Sequence, residues 1–452
     1  MNYPKTTLFP RRAACLSALL ALGASTLFAG CGDKGTAGNT TSNGATTAAS
    51  GASAAGANEL MIISPHGREV QAEFERVFIA KNPGVKLTWI DQGGSSDDLR
   101  FVQTEFAGKK PDEGIGLDLF FGGGPESFLE MSKAGLLQPL KSTYNIPAQL
   151  NGMPLRGAKN EWVGATLSGF GILYNKSIAT RDKLPVPTQW ADLGKPELRN
   201  RIILADPRHS GSAHMAYEII LQANGWKRGW EILTAMTGNT RTYASSGSQV
   251  PNDVASGEAV MGPAIDFYAA TKIASAGEGK LGYAESKGQR VVTPDPIGVL
   301  RGAPHADLAH RFVDFVMSPE GQKLWMLKKG SPGGPQNNEL FRKPILPSLY
   351  KPISKDSLIR DNPYAGRNDF VFDPNKAGVR RRALDDLLGA VLIDNADAVK
   401  AKLAKSPDAA KLAFVPVTEA ELAELSKKWD DQTFRNARVS EWGEAARKHF
   451  SS

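Results

Sequence analysis

Cysteine is nearly absent from this 452-residue chain: there are two, Cys15 and Cys31, both within the first 31 residues. A disulfide-stapled scaffold or a thiolate metal cluster is therefore excluded for the remainder. Histidine is also scarce, six in all. His209 and His214 stand five apart, so they do not share a helix face as the pair in H-E-x-x-H does, and a zinc site has no support. No G-x-S-x-G, P-loop or G-x-G-x-x-G occurs, which removes the local signatures of esterases and nucleotide enzymes. Beyond the N-terminus no apolar run approaches 18 residues, which argues against a polytopic membrane protein. There is no internal repeat, and no Lys/Arg run that would track a phosphate backbone, so nucleic acid is not expected as a partner.

What remains is 41% hydrophobic, 22% charged and 8% aromatic, the composition of a globular protein, at a length that allows two or three domains. Lys5, Arg11 and Arg12 precede an apolar run from Ala13 to Ala29, the pattern of a secretory signal over residues 1–30. Leu27-Phe28-Ala29-Gly30-Cys31 resembles a bacterial lipobox, which makes Cys31 the expected lipidation site; the alternative is an ordinary signal-peptidase site. Losing the signal lowers the formal net charge from +7 to +4. Gly32–Asn58 is almost wholly Gly, Ala, Thr, Ser and Asn, and so residues 31–58 read as a flexible tether reaching roughly 30 Å. The expected location is the periplasm or the outer face of the cytoplasmic membrane, with the membrane touched through the lipid anchor only.

From Glu59 strand and helix patterns alternate. Leu60–Ile63, Val85–Ile90 and Leu117–Phe121 read as strands, with helices over Glu69–Asn82, Asp97–Phe106 and Pro125–Ala134. The alternation continues with strands at Ile202–Ala205, Ala259–Met261 and Ile297–Leu300. Helices are predicted over Ala213–Asn224, Trp226–Met236, Gln249–Ser256, Ala306–Met317 and Pro319–Lys328. Such spacing predicts βαβ units and a mostly parallel sheet. Residues 340–375 are Pro-rich and irregular, and the chain beyond Pro374 reads as helical.

Four loops follow a strand, precede a helix and are rich in Gly and Ser: Ser64-Pro65-His66-Gly67, Gly93-Gly94-Ser95-Ser96, Gly122-Gly123-Gly124 and Asp206-Pro207-Arg208-His209-Ser210-Gly211-Ser212. In an open α/β sheet, ligands collect at that edge, where the unpaired N–H groups of helix first turns favour an anion. Each loop alone is equally explained as a βα turn. Asp266-Phe267-Tyr268 follows another strand and offers a carboxylate and a phenol.

The sequence resembles the periplasmic solute-binding proteins of ABC importers, in their ferric-ion and sugar-phosphate branch. The marks are Trp162-Val163-Gly164 with Leu167-Ser168-Gly169-Phe170-Gly171-Ile172-Leu173-Tyr174-Asn175, then Gln189-Trp190-Ala191-Asp192-Leu193. Asp206-Pro207 with Ser210-Gly211-Ser212 follows, then Ser245-Ser246-Gly247-Ser248 leading to Val254-Ala255-Ser256-Gly257-Glu258, and Ser318-Pro319-Glu320-Gly321-Gln322. The resemblance covers roughly residues 59–345. It implies a type II periplasmic-binding fold, α/β, with two lobes joined by crossing strands and closing on ligand. Lobe 1 would be 59–163 plus 290–345, lobe 2 would be 164–289, and 346–452 a C-terminal extension. It further implies that Ser210-Gly211-Ser212 holds an anion. The ferric relatives use a tyrosine pair where this chain has Phe267-Tyr268, and a carboxylate where it has Gly123-Gly124, a donor set poor in the hard oxygens Fe(III) prefers.

The expected function is therefore capture of a small anionic solute, such as a sugar phosphate or phosphonate, and its delivery to an inner-membrane ABC permease by a monomer without cofactor or metal. The expected ligand-binding residues are Ser64, His66, Ser95, Gly123 and Ser168, with His209, Ser210, Gly211, Ser212, Asp266 and Tyr268. Ferric-iron binding, a periplasmic enzyme and a sensory binding protein are the competing readings, because one fold hosts several functions.

Overall fold

The β–α alternation builds a mixed sheet of eleven strands, flanked by helices, beside a separate two-stranded ribbon. The structure is a computed structural model describing residues 58–277, 279–365, 370–406 and 408–451. The signal, Cys31 and the tether lie outside the described residues, apart from Asn58. Elements in the first part are β1 (Glu59–Ile63), α1 (Arg68–Lys81), β2 (Lys86–Ile90), α2 (Ser95–Phe106), β3 (Leu119–Phe121) and α3 (Pro125–Lys133). Three two-residue strands follow, β4 (Leu137–Gln138), β5 (Gln149–Leu150) and β6 (Met153–Pro154), then the long β7 (Val163–Asn175). Beyond it come α4 (Lys176–Arg181), β8 (Ile202–Ala205), α5 (Gly211–Asn224), α6 (Trp226–Asn239), β9 (Thr240–Ala244), α7 (Gln249–Ser256), β10 (Met261–Ile265), α8 (Asp266–Ala276) and β11 (Leu281–Glu285). The chain returns through β12 (Val292–Leu300) to α9 (Ala306–Met317), α10 (Pro319–Met326) and β13 (Lys343–Pro344).

The strand order is β2-β1-β3-β12-β7-β10-β8-β9. β1 pairs in parallel with β2 and β3, and β8 with β9 and β10, as crossover helices require. β7 and β12 run antiparallel between these two groups, from Val292 opposite Gly169 to Ile297 opposite Val163. All thirteen residues of β7 are buried, because β12 and β13 pair along its first half and β10 and β11 along its second. This strand was not foreseen as a strand from the sequence: its Gly-interrupted run lacks both periodicities.

Two lobes with separate cores result. Phe74, Phe78, Phe121, Phe312 and Trp325 pack together in the first; α1 supplies Phe74 and Phe78 from one face, four residues apart. Trp190, Trp230, Ile203 and Ile220 lie in the core of the second. The start of the C-terminal extension packs on the first lobe, Leu346 in its core and Tyr350 and Ile359 with Met326 and Leu327, whereas its helices belong to the second core. Its helices are α11 (Pro374–Leu388), α12 (Ala396–Lys405), α13 (Ala409–Leu412), α14 (Glu419–Ser426) and α15 (Gln432–Ser451), with a π-turn at Gly389–Ile393. Leu384, Leu387, Val391, Trp429 and Trp442 are buried in it. Thr418 accepts from Glu421 N–H and Glu421 from Thr418 N–H, the capping box that the sequence pattern indicates. No helix among the described residues is long and apolar enough to cross a membrane.

Candidate functional site

Five helices begin at one cleft between the lobes. α2 and α3 start there from the first lobe, and α5, α7 and α8 from the second. Each follows a strand whose carboxyl end points to the cleft, so the unpaired amides and positive dipole ends of the helices are gathered in one place. The cavity they enclose is about 180 Å³. Lobe 1 contributes His66, Gly94, Ser95, Gly123 and Glu126; lobe 2 contributes His209 to Ser212, Ser246 to Ser248, Phe267 and Tyr268. Phe170, Thr293, Asp295 and Arg342 line the part nearest the crossing strands.

The lobes are in contact across this cleft. A Cβ built on Gly211 would stand 2.7 Å from the Ser95 hydroxyl, so any side chain there requires that hydroxyl to turn away and a branched one presses on α2. The second lobe's serine loops also interlock: Ser210 Oγ caps α5 by accepting from Ala213 N–H at 3.3 Å and lies 3.2 Å from Ser212 Oγ. Ser246 and Ser248 hydroxyls are 2.7 Å apart on the facing loop.

Arg342 is the cation of the site. It is buried, its Nη1 is 2.5 Å from Asp295 Oδ2, and its guanidinium carbon lies 3.4 Å from the centroid of the Phe267 ring. Ser168 donates to the other Asp295 oxygen at 3.2 Å. Burial pushes the Asp295 carboxyl up to about 6 against the pull of Arg342 and Ser168. Among the described residues, Asp295 is the guanidinium's one ion-pair partner, which leaves its other N–H groups for a ligand. His66 is buried against the edges of Phe121 and Trp325; burial first, then Arg342, lowers it well below the usual imidazole range, so it is neutral. Its Nε2 has no partner among the described residues, nor has Glu126 Oε1, and both residues line the cleft. Burial raises the Glu126 carboxyl, with Arg381 and His214 opposing.

Of the eleven expected binding residues, the cleft brings together His66, Ser95, Gly123, His209, Ser210, Gly211, Ser212 and Tyr268. Three do not line it. Ser64 accepts the His66 N–H at 3.1 Å and so shapes the loop from behind. Ser168 is engaged by Asp295. Asp266 turns to Lys343, whose Nζ is 2.5 Å away. Sequence reasoning missed Arg342, Asp295 and Glu126 as site residues. Arg342 sits in the irregular 340–375 stretch, where no local pattern marks it; Asp295, a lone charge between Pro294 and Pro296 in an otherwise apolar strand, was the available cue. Among the described residues no group of three His, Cys, Asp or Glu side chains is placed to hold a metal.

Behind the wall, Asp98 in the first turn of α2 accepts Gln92 N–H at 2.8 Å through one oxygen, while the other has no partner among the described residues. Burial raises its carboxyl from 3.8 to about 7, with Asp91 and Asp97 adding to the rise. The folded protein thus holds this proton more tightly than the unfolded chain does. Asp98's contribution is fully present below pH 3.8 and is lost as pH rises to about 7. Asp98→Asn should therefore stabilise the protein at pH 8 by about 1–3 kcal/mol relative to pH 4. Urea melts of both proteins across that range test this, and parallel curves would contradict it.

Residues 109–356 match the protein family described as bacterial extracellular solute-binding protein. The chain is 32% identical over 187 residues to the phosphoglycerate transport regulatory protein PgtC of Salmonella typhimurium, 41% of this chain and 46% of that one. It thus spans about half the length of the curated relatives it matches. The periplasmic binding protein AfuA from Actinobacillus pleuropneumoniae, solved with fructose 6-phosphate, superposes over 77% of this chain and 98% of its own, with a TM-score of 0.58 and 19% identity. Pasteurella haemolytica apo ferric ion-binding protein A covers 75% and 98%, with a TM-score of 0.56 and 15% identity. These likenesses show the two-lobed periplasmic-binding fold.

Proposed function

The chain belongs to the bacterial extracellular solute-binding protein family, and from that premise we propose that it captures a small phosphorylated or carboxylated metabolite between its lobes and passes it to an ABC permease. The observation that carries this reading is the cleft itself: five helix starts and the buried Arg342 converge on one cavity. Two of its carboxylates are already engaged, Asp295 by Arg342 and Asp91 by the Gly93 N–H at 2.9 Å. Glu126, raised by burial, is a hydrogen-bond donor to the solute when protonated. Serine hydroxyls on both facing loops of lobe 2 add donors that suit phosphate oxygens. The sugar phosphate bound by AfuA and the phosphoglycerate in the name of PgtC support the phosphorylated class. Lipidation at Cys31 and the tether over 31–58 would hold the lobes at the outer face of the cytoplasmic membrane, within reach of a permease.

Titration calorimetry of the full chain with 3-phosphoglycerate, fructose 6-phosphate, 2-aminoethylphosphonate, free fructose and ferric citrate tests the proposal. Micromolar or tighter binding of a phosphorylated compound, with free fructose silent, is the expected result. Heat from ferric citrate alone would overturn the solute class.

A further inference from the structure

The helices of the C-terminal extension are built onto one lobe and reach the other. α11 is fixed to lobe 2 by Arg380, 2.7 Å from Glu218 with both side chains buried, and by Asp385, 2.6 Å from His214 Nδ1. Arg381, the next residue, points toward lobe 1. Its Nη1 donates to Ser127 Oγ at 3.0 Å and its Nη2 to Ser96 Oγ at 2.9 Å. Ser96 lies in the first turn of α2 and Ser127 in the first turn of α3, so one guanidinium joins both lobe 1 helix starts that face the cleft. A cation beside two helix N-termini is disfavoured by their dipoles. Any negative charge on Glu126, which the Arg381 guanidinium favours from the same wall, offsets part of that cost. Ser95 and Gly211 touch across the cleft next to this arginine, so any widening of the cleft separates α2 from α5 and takes both serine acceptors away from Arg381.

We propose that Arg381 is a positioning residue for solute capture: a clasp thrown by the C-terminal extension from lobe 2 to lobe 1 that holds the cleft shut and slows the solute's escape. It does so without touching the solute, since neither it nor Ser96 lines the cavity. A contact made only with the lobes together raises the closed population, and apparent affinity rises with that population. The inference rests on the reading of the cleft as a solute site, and deepens it by giving the extension a part in binding.

The test uses the full chain, Arg381→Met, Arg381→Lys, and the double variant Ser96→Ala/Ser127→Ala, which removes the acceptors while leaving α11 intact. Dissociation of fructose 6-phosphate or 3-phosphoglycerate is followed by stopped flow. Hydrogen exchange of the ligand-free proteins is read over segments 95–98 and 125–128. Two charge-assisted hydrogen bonds predict dissociation ~10-fold or more faster in Arg381→Met and in the double variant, association little changed, and partial recovery in Arg381→Lys. Faster exchange in both segments accompanies it. Unchanged dissociation and exchange in the double variant overturns the clasp, whatever Arg381→Met does to folding. Should ferric citrate alone give heat with the wild type, the solute reading fails, and the exchange comparison still decides the clasp by itself.

Discussion

Arg342→Met should lower affinity for the solute at least ~100-fold and destabilise the fold by about 3 kcal/mol. The two losses have different origins. The affinity falls because the cleft's buried cation is gone. The stability falls because Asp295 stays buried with only the Ser168 hydroxyl on one oxygen. Its carboxyl, already raised to about 6 by burial, climbs further once Arg342 no longer opposes that shift. The variant should then regain stability as pH falls toward ~5, since the folded state takes up a proton the unfolded chain does not. Adding Asp295→Asn separates the two effects: the uncharged amide keeps an acceptor for Ser168, so melting at neutral pH returns toward wild type while binding does not. Calorimetry and urea melts of the single and double variants make the comparison. A single variant that binds at wild-type strength removes Arg342 from the site.

The division between what the sequence announced and what it hid follows the range of the interactions. α9, which runs over Ala306–Met317 as its pattern indicates, is set by local apolar spacing and by the Ser318-Pro319 start of the next helix. The Gly- and Ser-bearing loops were legible because turn chemistry is local, and the sheet then brought their helix starts together. Arg342 was not legible, because its place comes from β13 pairing with β7, Lys343 opposite Leu167, a register between residues far apart in the chain. Ser168 and Asp266 stand outside the cavity lining for the same reason: their partners, Asp295 and Lys343, are 127 and 77 residues away. The extension read as helical from Pro374 onward, yet its sharing of lobe 2's core and its reach to lobe 1 through Arg381 are visible only in three dimensions.

Gly211→Val should abolish most solute binding while leaving melting nearly unchanged. Position 211 opens α5 at the surface of lobe 2 that meets α2, and a Cβ there comes within 2.7 Å of Ser95 Oγ and 3.8 Å of Arg381 Nη2. An alanine can be met by rotating the Ser95 hydroxyl, so Gly211→Ala should cost only a few-fold. The branched methyls of valine cannot be met that way and must push the first turn of α2 aside. That overpacking penalty of roughly 1–3 kcal/mol arises only when the lobes close, hence a loss of about 10- to 100-fold. Neither core contains residue 211, so unfolding is not the cause of the loss. Trimming the opposing side chain supplies the control: Ser95→Gly in the Gly211→Val background removes the collision and should recover part of the affinity. Calorimetry on the four proteins reads the series, and equal affinities for the wild type and Gly211→Val would mean that the solute binds without the two walls meeting.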